Sequence, residues 1–302
     1  MAEFYTLDLD FLGQPGTIAS YLIPHKHGVI LVESGPGSTL EGLKRALAEH
    51  GYALDDVTDV LLTHIHLDHA GAAGALTQRH GAVVHVHPVG APHMINPEKL
   101  LASAGRIYGD QMDTLWGEFL PVPEEKIHVV QDEEEIVING RKFLVLDTPG
   151  HAYHHYVYLY EDVCFSGDIG GVRLQGQRHL RLPMPPPEFH LEKWRASLQR
   201  LREADFRVII PTHFGPHEDV DWHLSAIERE LNRVEAFLEE VMPQEPTETE
   251  FHEMLMEWVR RQAQADGVSE EVHRLYETAN PSWMSVAGLM RYWRKFRAPK
   301  QE

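Results

Sequence analysis

The chain has 302 residues, with 27 lysines and arginines against 46 aspartates and glutamates, so its formal net charge is −19. This charge argues against a nucleic-acid partner, because phosphate binding needs clustered basic side chains, and the 43% apolar content excludes general disorder. The single cysteine, Cys164, excludes a disulfide framework. Neither a signal peptide nor a run of ~18 apolar residues is recognisable. We therefore expect a cytoplasmic protein with no membrane partner.

The first half of the chain is predicted to contain short strands and then strands that alternate with helices. The apolar segments 18–23 and 29–32 predict a hairpin, and Ser38 with Glu41 predicts a capping box at the start of a helix. The next elements are a strand at 57–63, a helix at 70–80 and a strand at 83–87. Residues 91–126 are rich in Pro, Gly, Met and aromatic side chains, which suggests an insertion over one face.

The second half is predicted to continue with strands and to end in helices alone. Strands are expected at 136–138, 143–147, 156–160, 163–166 and 208–210, with a loop at 170–187 and a helix at 191–202. Four helical stretches follow, at about 221–240, 248–265, 269–278 and 284–296. These patterns predict two domains, 1–220 and a helical C-terminal module at 221–302.

Three histidines and a carboxylate occur within six residues directly after a predicted strand, in the segment His64-Ile65-His66-Leu67-Asp68-His69. Side chains two residues apart in extended chain point the same way, so His64 and His66 are expected to face one point. Asp68 and His69 then turn with the chain toward a second, neighbouring position.

The same arrangement recurs after three later strands, which are followed by His151, Asp168 and His213. Ligands gather at the carboxyl ends of strands in open α/β architectures. Four such ends would bring five imidazoles and two carboxylates together. A set of nitrogen and oxygen ligands without thiolate suits zinc, iron or manganese.

This ordered pattern resembles that of the metallo-β-lactamase-fold hydrolase superfamily, especially its glyoxalase-II-like dinuclear branch, over residues 1 to about 220. The resemblance implies an α/β (α+β) fold, a four-layer αββα sandwich with two metal ions between its sheets. It implies a first metal site formed by His64, His66 and His151. It implies a second site formed by Asp68, His69 and His213, with Asp168 as a carboxylate that bridges the two. Asp68 and Asp168 are the expected catalytic residues.

The chain departs from the family pattern at two positions. Glu33 stands in a turn where the family often has Asp, which leaves a contact behind the metal ligands uncertain. Phe214 interrupts the usual His-Gly-Pro motif, so His217 is an alternative to His213. His213 is the better candidate because it directly follows a strand.

We expect the protein to be a hydrolase with two divalent metal ions, zinc first and iron or manganese as alternatives. Two such ions lower the pKa of a shared water to roughly 7, and the resulting hydroxide would attack an ester, thioester or lactone carbonyl. No Gly-x-Ser-x-Gly motif is present and Cys164 lies in an apolar strand. The alternative is a mononuclear iron oxidoreductase resembling persulfide dioxygenases, and a non-enzymatic protein with a structural metal is a weaker one.

The substrate is less well defined by the sequence. Arg173, Arg178 and Arg181 follow Asp168 and could grip the carboxylate or phosphate of an anionic small molecule, although a solvated loop explains them equally well. Substrate contacts are also predicted for Tyr153 and Phe214, which lie beside expected metal ligands, with core packing as the alternative.

The role of the C-terminal module is open at the level of sequence. Its amphipathic helices are expected to pack on the sandwich, and a lid or a homodimer contact is the alternative. The basic segment 291–300 is expected to be a solvated tail.

Overall fold

The computed structural model of the protein describes residues 2–298. Residues 299 and 300, the last two of the predicted basic tail, lie outside this range. Among residues 2–298, none of the helices combines the length and the apolar character that crossing a bilayer requires.

The first sheet has six strands in the order β1-β2-β3-β4-β5-β6. The first three strands are antiparallel and the last three continue parallel from β3. Their bounds are Tyr5–Asp8, Ala19–His25, Gly28–Val32, Val57–Leu61, Val83–Val86 and Ile127–Val129. The predicted hairpin is thus confirmed as β2 and β3. The two strands that the sequence did not reveal, β1 and β6, are the short strands at the edges.

The second sheet has five strands in the order β11-β10-β9-β8-β7, of which only β10 and β11 pair in parallel. Their bounds, from β7 to β11, are Glu135–Ile138, Arg141–Asp147, Tyr156–Tyr160, Val163–Phe165 and Val208–Ile210. All five were predicted within a few residues.

Eleven α-helices complete the described part of the chain. Their bounds, from α1 to α11, are Leu40–Glu49, Leu67–Ala70, Ala73–His80, Ala91–Ile95, Glu98–Tyr108, Met112–Trp116, Leu191–Glu203, Val220–Val241, Glu248–Ala265, Glu270–Ala279 and Met284–Tyr292. The predicted insertion at 91–126 contains α4, α5 and α6. The four predicted C-terminal helical stretches correspond to α8 to α11.

Three hydrophobic clusters separate four layers. Side chains from facing strands, such as Ile30 of β3 and Tyr158 of β9, form the cluster between the two sheets. A second cluster joins the outer face of the first sheet to the helices before residue 117. A third joins the second sheet to α7, α8, α9 and α11. The predicted αββα sandwich is confirmed.

The C-terminal helices share the third cluster with the second sheet. Leu231 of α8 and Leu255 of α9 are buried in it together with Cys164 of β10 and Trp194 of α7. The expectation that the module packs on the sandwich is therefore met. The division into two domains at residue 220 and a homodimer through the module stay predictions.

The capping box predicted for α1 is wrong. The helix begins at Leu40, after a 3-10 turn at Gly37–Thr39, and no side chain caps it. The Ser38 hydroxyl donates instead to the carbonyl oxygen of Leu115, at 2.6 Å. The insertion folds back over this turn. The Ser38 hydroxyl therefore pairs with the carbonyl oxygen of Leu115 and not with the backbone at the start of α1.

Candidate metal centre

The polar cluster predicted from the strand ends is assembled in the structure. His64 follows β4, His151 follows β8, Asp168 follows β10 and His213 follows β11. Each strand is held by buried apolar neighbours on both faces of its sheet, so the residues just beyond its end have little freedom to move apart. All four of these side chains are buried or nearly so.

His64, His66 and His151 form a tight triangle of ring nitrogens. Nε2 of His151 lies 3.2 Å from Nε2 of His64 and 2.8 Å from Nδ1 of His66, and the latter two atoms are 3.0 Å apart. Nitrogens bound to a tetrahedral zinc ion at about 2.0–2.1 Å would stand roughly 3.3 Å from one another. The triangle therefore has a spacing close to that of a three-histidine site.

Asp68, His69 and His213 form a second group. Oδ2 of Asp68 lies 3.4 Å from Nε2 of His69 and 3.3 Å from Nε2 of His213. The ring nitrogens and the carboxylate are close enough for one cation to contact all three. His217, the alternative to His213, is not part of this group, because its Nε2 lies against the carbonyl oxygen of Arg173 at 3.1 Å.

The Asp168 carboxylate lies between the two groups. Its Oδ2 is 3.4 Å from Nε2 of His151, in the first group. Its Oδ1 is 3.3 Å from Nε2 of His69 and 3.5 Å from Nε2 of His213, in the second. One oxygen thus faces each group, which is the placement that a bridging ligand requires.

Two atoms of this cluster have unmet hydrogen-bonding capacity. Nε2 of His69 and Oδ1 of Asp168 are buried and have no hydrogen-bond partner among the described residues. Buried polar atoms in proteins are almost always paired, so these two atoms are available to a ligand. Imidazole and carboxylate donors without thiolate are those that zinc, iron and manganese accept. The residues present therefore fit a pair of divalent cations.

The outward-facing ring nitrogens of two cluster histidines are hydrogen-bonded to backbone carbonyl groups. Nδ1 of His151 donates to the carbonyl oxygen of Pro183 at 2.8 Å, and Nδ1 of His213 donates to that of Thr17 at 2.9 Å. With the proton on Nδ1, the Nε2 lone pair faces the cluster. Such contacts fix the tautomer and orientation of metal-binding histidines.

Glu33 provides the contact that the sequence left uncertain. It is fully buried, and its carboxylate accepts from the Thr63 hydroxyl at 2.5 Å, from Nδ1 of His69 at 3.1 Å and from the Thr212 hydroxyl at 3.3 Å. Its backbone is left-handed, with φ of 67°. Such a conformation is uncommon for a residue with a side chain and is concentrated at functional sites.

The charges of the cluster reinforce its need for cations. Burial lowers the pKa of His66 to about 3, and its neighbour His151 adds to this effect. In the second group, burial alone would lower the pKa of His69, but the carboxylates of Asp68 and Asp168 raise it well above its usual value. Ionised carboxylates in this buried group therefore favour positive charge beside them.

His154 and His155, which follow His151 closely in the sequence, are both buried beside the cluster. The chain forms a turn here instead of an extended segment. Nε2 of His155 accepts from the backbone N–H groups of Asp168 and Ile169, at 3.1 and 3.3 Å. His155 therefore orients the turn that carries the bridging carboxylate. Gly167 allows this approach, because its φ is 49° and a Cβ there would lie 2.8 Å from the His155 ring.

A cavity of about 460 Å³ opens above the cluster. Its floor includes His66, Asp68, His151, Asp168 and His213. Its walls come from segments 11–18, 89–116, 183–188 and 277–284. The insertion and the C-terminal module thus enclose the site together. The only sequence signal for this enclosure is the aromatic content of segment 91–126.

The arginines expected to bind substrate are occupied elsewhere. Arg173 pairs with Asp219 at 2.6 and 2.9 Å, and the guanidinium groups of Arg173 and Arg178 stack on Trp222. Arg181 forms a close ion pair with Glu277. None of the three lines the cavity among the described residues. The structure therefore corrects this expectation, since these side chains attach the loop after Asp168 to the helical module.

Tyr153 and Phe214 are also absent from the cavity wall within residues 2–298. The Tyr153 ring lies beneath the ammonium group of Lys193, 5.1 Å from its centroid. Phe214 packs against the cluster between the two sheets and against a small fourth cluster, which contains Val172, Leu174, Tyr276 and Ala279. The packing alternative is therefore supported for Phe214, whereas Tyr153 belongs to none of the hydrophobic clusters of the described residues.

Comparison with known families supports the metal-site interpretation. The family model of the metallo-beta-lactamase superfamily matches residues 13–213, which is more than half of the chain. The matched region contains every residue of the cluster.

Two solved structures have the same fold. A metallo-beta-lactamase family protein, TTHA1429 from Thermus thermophilus, is 23% identical, with a TM-score of 0.68 over 97% of this chain and 93% of that one. The archaeal superfamily protein ST1585 from Sulfolobus tokodaii is 23% identical, with a TM-score of 0.61 over 78% of this chain and 86% of that one. At this level of identity the likeness establishes the fold alone.

Curated relatives match over shorter stretches. The chain is 29% identical over 177 residues to a metallo-beta-lactamase fold-containing protein of Sulfurisphaera tokodaii, covering 58% of this chain and 66% of that protein. It is 33% identical over 125 residues to a hydroxyacylglutathione hydrolase of Rhodopseudomonas palustris, covering 41% of this chain and 36% of that protein. Each match spans less than two thirds of the relative's length.

Proposed function

Because the chain belongs to the metallo-beta-lactamase superfamily, we propose that it is a hydrolase that uses two divalent cations, zinc first among them, to cleave an ester, thioester or lactone bond. The observation that carries the proposal is the position of Asp168, whose two carboxylate oxygens face the two groups of ligands. The superfamily and the histidine cluster together support a metal-dependent hydrolase; the bond cleaved and the number of ions are our proposal.

His64, His66 and His151 would hold one cation, and Asp68, His69 and His213 the other, with Asp168 between them. When bound, such a pair polarises a carbonyl oxygen and lowers the pKa of water toward neutrality. Asp68 and Asp168 are the two carboxylates of the cluster that reach the cavity floor. They would hold the cations at the surface that a substrate meets.

No thiol nucleophile competes with this chemistry. Cys164 is fully buried in β10, and burial raises the pKa of its thiol, so that the reactive thiolate does not form at neutral pH. A hydrolytic water is therefore the nucleophile that this site can support. Another relative, 25% identical over 231 residues, is named an atrochrysone carboxyl ACP thioesterase of Aspergillus fumigatus. This name favours thioesters as one class of substrate to test.

The proposal is tested by metal analysis together with an activity screen. The full chain is reconstituted with zinc, manganese or iron and assayed against activated esters, thioesters and lactones. We expect about two ions per chain and hydrolysis that chelation abolishes. One iron per chain with oxygen uptake and no hydrolysis would instead favour the persulfide-dioxygenase-like alternative.

A further inference from the structure

The cavity above the metal centre has a polar floor and mainly apolar walls. We propose that it binds an extended apolar chain carried by the ester or thioester substrate, an inference that deepens the proposed function and rests on it. The scissile carbonyl would lie at the floor, and the chain would extend along the wall. A volume of about 460 Å³ is within the range of ~300–1,000 Å³ typical of small-molecule sites.

Aromatic side chains from three separate segments form a continuous part of the wall. The ring centroid of Tyr108 in α5 lies 5.0 Å from that of Trp116 in α6 and 6.0 Å from that of Trp283, next to α11. Phe11 stacks on Trp116 at 5.9 Å. Even the Tyr108 hydroxyl contacts a thioether, the Sδ of Met284, at 3.5 Å. This wall therefore offers apolar surface, and burying an alkyl chain against it is favourable.

The rim of the cavity is apolar as well. Leu12, Val89 and Trp283 line the cavity and are 48%, 49% and 39% exposed. These are three of the large apolar side chains that the described chain leaves in solvent. Exposed apolar side chains grouped around a cleft mark a ligand-binding surface more often than isolated ones do.

Leu12 is held at the rim in an unfavourable backbone conformation. Its φ is 54°, in the left-handed region that residues with side chains rarely adopt. The loop is fixed by Asp8, whose carboxylate accepts from the backbone N–H groups of Asp10 and Gly16 at 3.1 and 2.7 Å. An exposed leucine in a strained position is explained if a ligand covers it.

Two acidic side chains of the wall already have partners. Glu277 is paired with Arg181 and accepts from Ser282, while Glu188 accepts from the backbone N–H of Tyr153 at 2.7 Å. An apolar chain therefore leaves these partnerships intact. Among the described residues of the wall, Lys99 is the basic side chain that remains exposed.

The first test measures binding and does not depend on activity. Acetate, hexanoate and decanoate are titrated calorimetrically into the metal-loaded full chain. We expect affinity to rise by about fourfold for each added methylene that is buried. Equal affinity across the series would overturn the proposal.

The second test changes the cavity volume. Ser103 lines the cavity from α5, whereas its neighbour Ala102 is exposed and lies outside the lining. The quantity measured is kcat/KM for the decanoyl ester divided by kcat/KM for the acetyl ester. The same comparison of long and short chains is made in a second series of esters that differ in the alcohol. We expect Ser103→Phe to lower this ratio about tenfold or more in at least one series, and Ala102→Phe to leave it unchanged. An unchanged ratio in Ser103→Phe would contradict the proposal.

A further variant, Leu12→Gly, keeps the proposal testable if Ser103→Phe fails to fold. Leu12→Gly removes the rim side chain at a position whose backbone suits glycine, so we expect a stable protein with a smaller preference for long chains. Decanoate binding without any hydrolysis would refute the proposed function and leave the apolar site standing. Hydrolysis with no dependence on chain length would refute the apolar site and leave the proposed function standing.

Discussion

Nε2 of His69 and Oδ1 of Asp168 lie 3.3 Å apart, and neither atom has a hydrogen-bond partner among the described residues. If both bind a cation, Asp168→Asn removes the charge that holds the two ions together while preserving the shape of the side chain. We expect the metal content to fall from about two ions per chain to about one. Hydrolysis should fall at least about 100-fold.

Elemental analysis and steady-state kinetics check this expectation. The matched control is Asp221→Asn, an exposed position in the first turn of α8, which should change neither quantity. Full metal content and unimpaired hydrolysis in Asp168→Asn would remove the bridging role.

Glu33 is the partner whose loss should weaken metal binding without removing a ligand. Glu33→Gln preserves the size of the side chain but loses the charge that His69 and Thr63 contact. We expect about 10- to 100-fold lower metal affinity, measured by competition with a chelator. Glu41→Gln on the exposed face of α1 is the control. Identical affinities in both variants would show that the Glu33 charge plays no part.

Arg173 is expected to stabilise the fold instead of binding substrate. Its bidentate pair with Asp219 is lost in Arg173→Met, so the free energy of unfolding should fall by about 2 kcal/mol. The ratio of KM values for anionic and neutral esters should stay constant. Arg178→Met, at an exposed residue, should change stability little. A selective rise in KM for anionic esters in Arg173→Met would restore the substrate-binding role.

The pH dependence of stability should carry a contribution from Glu230. Burial raises the pKa of this carboxyl from 4.5 to about 7 in the folded chain, although Arg233 opposes the shift. The folded state therefore binds more protons than the unfolded state between these two pKa values, and stability falls as pH rises through this window. The full loss, above pH 7, is about 3 kcal/mol.

Denaturant titrations at pH 4.5, 6 and 8 test this contribution. Glu230→Gln does not titrate, so its stability relative to the wild type should improve as pH increases. Glu240→Gln, at an exposed residue of the same helix, is the control. A stability difference between Glu230→Gln and the wild type that does not vary with pH would contradict the assigned shift.

The ligand cluster could be predicted from sequence because its members follow strand ends directly. The pattern around His64 and the position of His213 after β11 depend on local alternation and strand length, which a single sequence displays. The same reasoning located Asp168 after β10. Which residues converge was therefore readable, while the roles of the individual ligands stay predictions.

The contacts made by residues next to the ligands in sequence could not be read in this way. Arg173 and Phe214 are near the ligands in sequence, but their side chains turn toward α8 and the hydrophobic clusters. This direction depends on where Asp219 and Trp222 lie in three dimensions. The edge strands β1 and β6 were missed because only one residue of β1 and none of β6 is buried, so neither strand has the apolar pattern that marks the other short strands.

The floor and the walls of the cavity are encoded by different stretches of the chain. Every member of the ligand cluster lies in a short segment that follows a strand, whereas Tyr108 belongs to the insertion and Trp283 to the C-terminal module. Substitutions in the walls can therefore change which molecules enter the cavity without altering the ligand cluster at its floor. Exchanging segment 91–126 for one of another shape would re-target the same reaction centre, a route open both to natural variation and to protein engineering.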